Sequence, residues 1–309
     1  MSRSGTKWLV KNLNHHEDIV AFGETLFWGR GYIQPSAQGN YTPQQLTKVV
    51  SRLASMRPSP RGNSAGCLKK ETVEGWSEII NSSFSELTGK HRSPAELFKQ
   101  LLKAVSAAEG KRVAVEKTPH HINWINRIIE ALPNAKFVAT YRDPYGFMLS
   151  YKHQGSQRNK RIREVFRRQY HPLVAAIVWR GYMRSLLQAK DRYPDSMLII
   201  PFVDINNDPK EVLRKVCVFF DVEPAIQKPL LKENSSFVTS FRPTLGSDDV
   251  FWMNLIAGKE IERAGFVRQP AAPKISVIIL SILKIPMWLA ANLSRWKNRL
   301  TYLWFWLSH

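Results

Sequence analysis

The chain has 309 residues, of which 44% are hydrophobic, enough to bury the core of one large domain or of one domain with an appendage. The 45 Lys and Arg residues outnumber the 25 Asp and Glu residues, and the formal charge of +20 suits a polyanionic partner: nucleic acid, an anionic membrane face or a highly phosphorylated small molecule. Two cysteines, Cys67 and Cys217, exclude a disulfide framework and fit a reducing compartment, and residues 1–30 lack the apolar core of a signal peptide.

Helical and strand patterns alternate along the chain. Apolar residues recur at helical spacing in residues 7–16, 43–56, 93–110, 121–132, from Pro144 onwards, in 163–193 with a kink expected at Pro172, and in 208–220. Short runs of β-branched and other apolar residues predict strands in residues 112–117, 135–142 and 196–202. Short buried strands between helices indicate an α/β fold with a parallel sheet that has helices on both faces.

Three turns carry a cation at or beside a predicted strand end. They are "SRSGT" at 2–6, "EKTPHH" at 116–121 and "YRDPYGFMLS" at 141–150, and their cations are Arg3, Lys117 and Arg142. Ligands of parallel α/β sheets bind at the carboxyl ends of the strands. We therefore expect a ligand with several negative charges at this edge of the sheet.

The first turn has the features of a phosphate-binding loop. Gly5 lets the backbone approach a ligand closely, and the N–H groups of Gly5, Thr6 and Lys7 would point at a phosphate near the positive end of the following helix. Ser4 and Thr6 add hydroxyl groups. An ordinary turn explains the same residues equally well, and the sequence does not match a Walker A loop.

The third turn carries two candidate phosphate ligands eight residues apart. Arg142 ends a predicted strand, and Ser150 lies two turns into the next helix, so that both side chains can contact one phosphate. The alternative is an ion pair between Arg142 and Asp143, with Ser150 in a packing role.

These motifs carry a resemblance to a known family. "SRSGTKWL" resembles the 5′-phosphosulfate-binding loop of the sulfotransferase family, whose usual form is P-[RK]-S-G-T-T-W-L, and "YRDPYGFMLS" resembles its 3′-phosphate-binding motif. "VEKTPHHINWINRIIEALPNAKFVATYRDP" is similar to the middle of the branch with many bacterial and Golgi-type members, "DPKEVLRKVCVFFDVE" to the late helix of the family, and "KEIERAGF" to its closing segment. The resemblance implies a P-loop-like sulfotransferase domain in residues 1–268, followed by an apolar, basic tail in residues 269–309.

The resemblance also implies a reaction. The co-substrate would be 3′-phosphoadenosine 5′-phosphosulfate (PAPS), its sulfuryl group would pass to an acceptor hydroxyl or amine, and no metal would be needed. By position, Arg3 would hold the bridging oxygen of the 5′-phosphosulfate, Ser4, Gly5, Thr6 and Lys7 would cradle the 5′-phosphate, and Arg142 and Ser150 would hold the 3′-phosphate. Catalysis would then rest on positioning and on cations aimed at the leaving oxygen.

A general base should help to deprotonate the acceptor. Glu24 in "VAFGETLFW" is the first candidate, because members of this branch often carry a catalytic Glu shortly after the first helix; the alternative is a solvated or salt-bridged Glu. His121 is the second candidate, and His120 is expected to be structural. Lys117 would stabilise the leaving oxygen or bind the acceptor, unless it simply pairs with Glu116.

The sequence departs from the family pattern in two places. Lys7 replaces the usual second Thr of the first loop, and Phe202 in "PFVDI" stands where many members have the Tyr of a Tyr-Glu-Asp sequence. The residues that would contact adenine, near "SSFVTSFRP", are not placed. The acceptor is not readable either, and a carbohydrate or lipid-type hydroxyl is favoured over a small metabolite or a protein tyrosine.

Two other classes of function remain open. A P-loop nucleotide kinase-like phosphotransferase would need a GK[ST] sequence and a strand-end Asp for Mg²⁺, and neither is visible. A basic membrane-binding or nucleic-acid-binding protein without catalysis would explain the charge but not three ordered motifs, and we expect no nucleic-acid partner. The basic run "RNKRIREVFRR" at 158–168 is either a solvated helix face or a surface that attracts an anionic acceptor.

Only Met1 and Ser2 precede Arg3 of the first turn, which leaves no room for the strand that should feed it. We expect the genuine start to lie upstream, with about 5–20 further residues that end in an apolar run and Pro. Without that strand, the sheet should have a gap beside "AKFVATYR".

The tail contains one segment with membrane character. "ISVIILSILKIPMWLAANL" is close to the length that spans a bilayer, but Lys284 and Pro286 oppose insertion. Its tryptophans, and those of the residues that follow, suit the headgroup level: Trp288, Trp296, Trp304 and Trp306. We expect a cytoplasmic protein with an interfacial anchor on the cytoplasmic membrane face that binds anionic lipid; the alternative is a helix pair packed on the protein's own core.

Overall fold

Four short parallel strands carry the edge at which the site forms. The computed structural model describes residues 1, 3–56, 68–85, 92–156, 159–225, 229 and 243–292. Within these residues the strands are β1 (Ile19–Phe22), β2 (Val113–Glu116), β3 (Phe137–Tyr141) and β4 (Met197–Pro201). β1 pairs with β2 and β3 pairs with β4, both in parallel, which confirms the expected parallel α/β architecture.

In the described part of the chain no strand pairing joins the β1–β2 pair to the β3–β4 pair. Among the described residues β3 pairs with β4 alone, and Met1 and Ser4 contact it: the Met1 amino group donates to the carbonyl of Thr140 at 2.9 Å. β1 was not expected from the sequence. The sequence signal for this strand was a run of four apolar residues, "IVAF", between Asp18 and Gly23. All four residues are buried in the structure.

Fourteen helices lie among the described residues. They are α1 (Thr6–Leu13), α2 (Pro43–Ala54), α3 (Lys70–Glu74), α4 (Trp76–Ser85), α5 (Pro94–Glu109), α6 (Ile125–Ala131), α7 (Pro144–Lys152), α8 (Lys160–Gln169), α9 (Pro172–Arg192), α10 (Phe202–Asn207), α11 (Pro209–Phe219), α12 (Ser247–Arg263), α13 (Ile275–Leu283) and α14 (Ile285–Asn292). Two 3₁₀ turns, Pro119–Trp124 and Pro194–Ser196, complete the set.

The long helical pattern of residues 163–193 is broken rather than kinked. α8 ends at Gln169, and α9 begins at Pro172, with the intervening His171 in an extended conformation (φ −145°, ψ 132°). The ring of a proline disfavours the helical conformation of the residue before it, whereas proline is well suited to the first position of a helix. The helix expected in residues 121–132 likewise starts as a 3₁₀ turn before α6.

α9 forms the centre of the largest core cluster. Its Trp179 is fully buried and packs in one cluster with Phe147 of α7 and Met253 of α12. A second cluster surrounds Trp28 and lies over β1 and α5, and a third joins α1, α11 and the opposite faces of the strands. The strand ends and the start of α1 are therefore held by helices on both sides.

Candidate active site

The first loop folds tightly against α10 before α1 begins. Gly5 has φ 89°, and a Cβ at this position would lie 2.8 Å from Ile205 Cδ1 and 3.2 Å from the ring of Phe202. Only glycine adopts this left-handed conformation without strain and also avoids the contact. No side chain caps the amino end of α1 in the described part of the chain, and its first turn has no acidic residue. The N–H groups and partial positive charge of this helix end are thus available to an anion.

Ser4 holds the loop on the neighbouring strand. Its side chain is fully buried, and its hydroxyl lies 2.8 Å from Thr140 Oγ1 and donates to the Thr140 carbonyl at 3.0 Å. Thr140 is in β3, so this contact fixes the loop beside that strand. The hydroxyl of Ser4 is therefore occupied inside the protein, whereas Thr6 is half-buried and Lys7 is exposed.

Arg3 connects the first motif to the third. Its Nε donates to Ser150 Oγ at 3.2 Å, and its Nη2 donates to the Ser150 carbonyl at 3.3 Å. Arg3 has φ 64°, a conformation that is unfavourable for a residue with a side chain. Burial lowers the pKa of its guanidinium, and the neighbouring Arg142 acts in the same direction. A bound anion would stabilise these two half-buried cations, whose charges otherwise repel each other.

Arg142 is fixed from three sides. Its carbonyl accepts from the Trp179 indole at 3.0 Å, and its guanidinium lies 4.4 Å above the ring of Phe202. Asp143 is only a loose partner, with Oδ2 at 3.8 Å from Arg142 Nε, and it also caps α7 by accepting from the Gly146 N–H. Burial lowers the pKa of Arg142. The alternative pair with Asp143 thus exists at 3.8 Å, but Arg142 Nε makes no hydrogen bond in the described structure.

Glu24 and Lys117 form an ion pair where β1 and β2 end. Lys117 Nζ lies 2.5 Å from Glu24 Oε1, and the two side chains are 11% and 33% exposed. The strand ends approach so closely at Gly23 that a Cβ there would lie 2.2 Å from the Lys117 carbonyl oxygen. Lys117 therefore pairs with Glu24 and not with the adjacent Glu116.

His121 and Glu116 belong to a buried network below this pair. His121 Nδ1 lies 3.1 Å from Glu116 Oε2, and its Nε2 accepts from the Trp28 N–H at 3.4 Å. Glu116 also accepts from the N–H and hydroxyl of Thr25 and from the Thr118 hydroxyl. Burial alone would raise the pKa of Glu116, but His121 and these hydrogen bonds lower it. Both ring nitrogens of His121 are thus engaged.

His120 has a different environment. Its ring is stacked on Tyr182 of α9, whose hydroxyl lies 2.8 Å from Nδ1. Burial, followed by nearby positive charges that include Lys117, lowers the pKa of His120 from 6.5 to about 4. The ring is therefore neutral near pH 7, in agreement with a structural role.

α9 and the first residues join the two halves of the site. α9 contacts one half through Tyr182 and His120 and the other through Trp179 and Arg142. The Met1 amino group bonds to β3 and lies close enough to Lys117 for their charges to interact. All candidate residues from the sequence thus lie in the described structure, and they form two neighbouring groups: Arg3, Ser4, Gly5, Thr6, Lys7, Arg142 and Ser150 in one, Glu24, Lys117 and His121 in the other.

The sequence did not indicate several positioning residues. Three residues contact site residues that are distant in sequence: Thr140, Trp179 and Tyr182. The sequence indicated only that these residues lie in or beside predicted strands and helices. Phe202 lacks the hydroxyl of the Tyr that many family members have at this position, and its contact with Arg142 was not expected. The segment expected near adenine lies almost wholly outside the described residues.

Two further features bear on chemistry. Within the described ranges no group of three or more His, Cys, Asp or Glu residues is arranged to hold a metal ion. A cleft of about 640 Å³ opens between the 3₁₀ turn at 119–124 and α9, lined by residues that include Asn123, Arg184 and Gln188. None of the candidate site residues lines it, so it is separate from the donor motifs.

One family model matches the chain. A family model described as "Sulfotransferase family" matches residues 1–225, more than half of the chain. No curated protein matches it.

Solved structures with similar folds include three bacterial proteins. The sulfotransferase domain of the Synechococcus PCC 7002 olefin synthase has 17% identity, with 91% of this chain and 90% of that chain covered and a TM-score of 0.48. A sulfotransferase from Alicyclobacillus acidocaldarius has 16% identity, coverages of 87% and 94% and a TM-score of 0.46. Sulfotransferase STF9 from Mycobacterium avium has 14% identity, coverages of 86% and 76% and a TM-score of 0.46.

Proposed function

The chain belongs to the sulfotransferase family, and from this premise we propose that it transfers the sulfuryl group of PAPS to an acceptor hydroxyl. The observation that supports the donor most directly is the cluster of Arg3, Arg142 and Ser150 beside the uncapped start of α1. A donor with phosphates at both the 5′ and 3′ positions supplies the separate negative charges that such a cluster requires.

The donor would bind along the first loop. The N–H groups of Gly5, Thr6 and Lys7 at the start of α1 would receive the 5′-phosphate, with the Thr6 hydroxyl beside them. Ser4 would act through the backbone, because its hydroxyl holds the loop on Thr140. Arg142 and Ser150 would bind the 3′-phosphate. Arg3, which already contacts Ser150, would bridge this site and the 5′-phosphosulfate.

Glu24 is the general base in this proposal. It would take the proton of the acceptor hydroxyl while the acceptor oxygen forms a bond to sulfur. The bond between sulfur and the 5′-phosphate oxygen breaks, and adenosine 3′,5′-bisphosphate leaves. Lys117, held by Glu24 at 2.5 Å, would face the charge that develops on the leaving oxygen, together with Arg3.

The engagement of His121 argues against its use as the base. A general base needs a free lone pair within reach of the acceptor. His121 Nε2 accepts from the Trp28 N–H, and Nδ1 faces Glu116. His121 would therefore fix the end of β2 beneath Lys117.

We propose a carbohydrate or lipid-type hydroxyl as acceptor, and a cytoplasmic protein that works at the cytoplasmic membrane face. The apolar residues 275–292 support the membrane setting. Residues 1–268 are proposed as the catalytic domain, no metal is assigned a role, and no nucleic-acid partner is proposed.

The experiment uses PAPS with a radiolabelled sulfuryl group, purified protein and cell extract. Transfer of label to an extract component in the presence of a metal chelator is the expected result, and the labelled product identifies the acceptor. The Lys117→Met variant should lose transfer, whereas replacement of the exposed Lys210 at the start of α11, Lys210→Met, should not. Absence of transfer from PAPS, together with chelator-sensitive transfer from ATP, would favour a kinase-like phosphotransferase instead.

A further inference from the structure

α13 and α14 together form a helical segment, residues 275–292, with two different faces. Its strongly exposed apolar side chains are between 46% and 76% exposed: Ile275, Ile279, Leu280, Ile282, Leu283 and Met287. At 3.6 residues per turn these side chains occupy about 160° of the helix circumference. A surface helix normally turns polar residues outward, and a contiguous apolar patch of this kind marks an interaction site.

The opposite face holds the segment on the body of the protein. Ser281, Trp288 and Asn292 are buried, and their spacing of seven and four residues places them on one side of the helix. The Trp252 indole donates to Ser281 Oγ at 3.0 Å, and the Trp288 indole donates to the Gln169 carbonyl at 2.9 Å. The segment is therefore attached along its length and lies flat.

A flat segment differs from a membrane-spanning one. By length and composition alone residues 275–292 could cross a bilayer, with a mean hydropathy of 1.8. A spanning helix would lose the contacts of Ser281 and Trp288 with the body, and it would place Lys284 near the bilayer centre, where lysine is strongly disfavoured. A helix with one attached polar face and one exposed apolar face is suited to the bilayer interface instead.

The neighbouring α8 supplies the charge. It carries five cations, Lys160, Arg161, Arg163, Arg167 and Arg168, against the single acid Glu164, and none of its residues is buried. Trp288 of α14 contacts the last residue of α8. A cationic helix beside an exposed apolar face is complementary to anionic headgroups that overlie acyl chains.

We propose that α8 and the exposed face of residues 275–292 form one membrane-binding surface, whose partner is an anionic lipid bilayer. The apolar side chains enter the boundary between headgroups and acyl chains, and the α8 cations bind lipid phosphates. This rests in part on the membrane setting proposed above, but binding to lipid can be measured without sulfuryl transfer.

The surface is connected to the donor end of the site. Asp249 of α12 is buried and accepts from Lys152 Nζ and from the Tyr170 hydroxyl, both at 2.6 Å. Lys152 follows Ser150 in α7, and Tyr170 follows α8. Membrane attachment would therefore bring the donor site near acceptors that are carried by the bilayer.

The test is cosedimentation of the full chain with vesicles of phosphatidylcholine, either alone or with about 30% phosphatidylglycerol. Binding is measured at about 50 mM and about 500 mM salt, where the Debye lengths are about 14 Å and about 4 Å. We expect binding to the anionic vesicles at low salt and at least tenfold weaker binding at high salt. The double variant Ile279→Ser/Leu283→Ser should bind at least tenfold less tightly. The double variant Arg167→Gln/Arg168→Gln should bind roughly tenfold less tightly.

Matched controls are available on α11. Arg214 and Lys215 pair with one glutamate, Glu211, as Arg167 and Arg168 pair with Glu164. Arg214→Gln/Lys215→Gln, and Val218→Ser at a similarly exposed apolar position, should bind vesicles like the parent chain. Calorimetry with adenosine 3′,5′-bisphosphate, or circular dichroism if that ligand does not bind, shows that each variant is folded.

Three outcomes overturn the inference. The first is no binding of the parent chain to anionic vesicles at low salt, and the second is equal binding by the Ile279→Ser/Leu283→Ser variant. The third is resistance to alkaline carbonate extraction, which would show a spanning helix. A different result would assign the apolar face to a second copy of the chain. In that case the parent chain dimerises in lipid-free buffer and does not bind vesicles, and the Ile279→Ser/Leu283→Ser variant does not dimerise.

Discussion

Replacement of Arg142 by alanine should remove the preference of the protein for ligands that carry a 3′-phosphate. The Arg142 side chain is 21% exposed, it lies over Phe202, and its nearest carboxylate is 3.8 Å away. A hydrogen bond to a charged group contributes about 1.5–3 kcal/mol, which corresponds to roughly a 10- to 150-fold change in affinity. We expect the loss of affinity for adenosine 3′,5′-bisphosphate to fall in this range.

The assay is calorimetry with two ligands, adenosine 3′,5′-bisphosphate and adenosine 5′-monophosphate. Arg142→Ala should weaken the first and leave the second nearly unchanged, because only the first has the 3′-phosphate. Arg184→Ala is the control, since Arg184 lies on α9 outside the donor motifs and pairs with Glu260 at 3.3 Å. An equal loss for both ligands would show that Arg142 acts through the fold, and no loss for either would refute the assignment.

Three further predictions concern chemistry and stability. Glu24→Gln should lower turnover by roughly 10²–10⁴-fold with nearly unchanged donor affinity; full turnover in this variant, with loss in His121→Gln, would transfer the role of base to His121. Gly5→Ala should lower the free energy of unfolding in urea by about 2–4 kcal/mol, because φ 89° is strained for alanine and its Cβ would crowd Ile205; an unchanged urea midpoint would contradict the described loop. The free energy of unfolding should fall as pH decreases from 6.5 towards 4, because His120 binds a proton in the unfolded chain but not in the folded protein, where its pKa is about 4. The loss is at most about 3 kcal/mol. His120→Gln should reduce the dependence of this free energy on pH, and an equal pH dependence in both proteins would contradict the prediction.

Local patterns were sufficient for most of the elements. α5 illustrates this, because the Ser93 hydroxyl accepts from the Glu96 N–H, the Glu96 carboxylate accepts from the Ser93 N–H, and Pro94 has no N–H to satisfy. Gly110 follows its last residue. The three strands that were expected are short runs of mostly apolar residues. The break before Pro172, where a kink was expected, follows a rule that acts between adjacent residues. β1 was missed because four residues are too few to show a period.

The local geometry of the proposed donor motifs also follows from short-range features of the sequence. Gly5 is required by the backbone of its own turn, and Arg142, directly after β3, and Ser150, in α7, are placed relative to each other by the strand-turn-helix connection. Such features depend on residues within about ten positions of one another, so the order and spacing of residues in the sequence are enough to predict them.

Only the tertiary structure decided which partners the catalytic candidates have. Glu24 and Lys117 are 93 residues apart and meet because β1 and β2 pair in parallel with Phe22 opposite Glu116. The same register brings His121 beneath the pair, and the burial of Ser4 on Thr140 depends on β3. A sequence specifies which residues can ionise or donate, but the pairing of distant strands sets which charges are close enough to interact, because electrostatic and hydrogen-bonding energies fall steeply over a few ångströms.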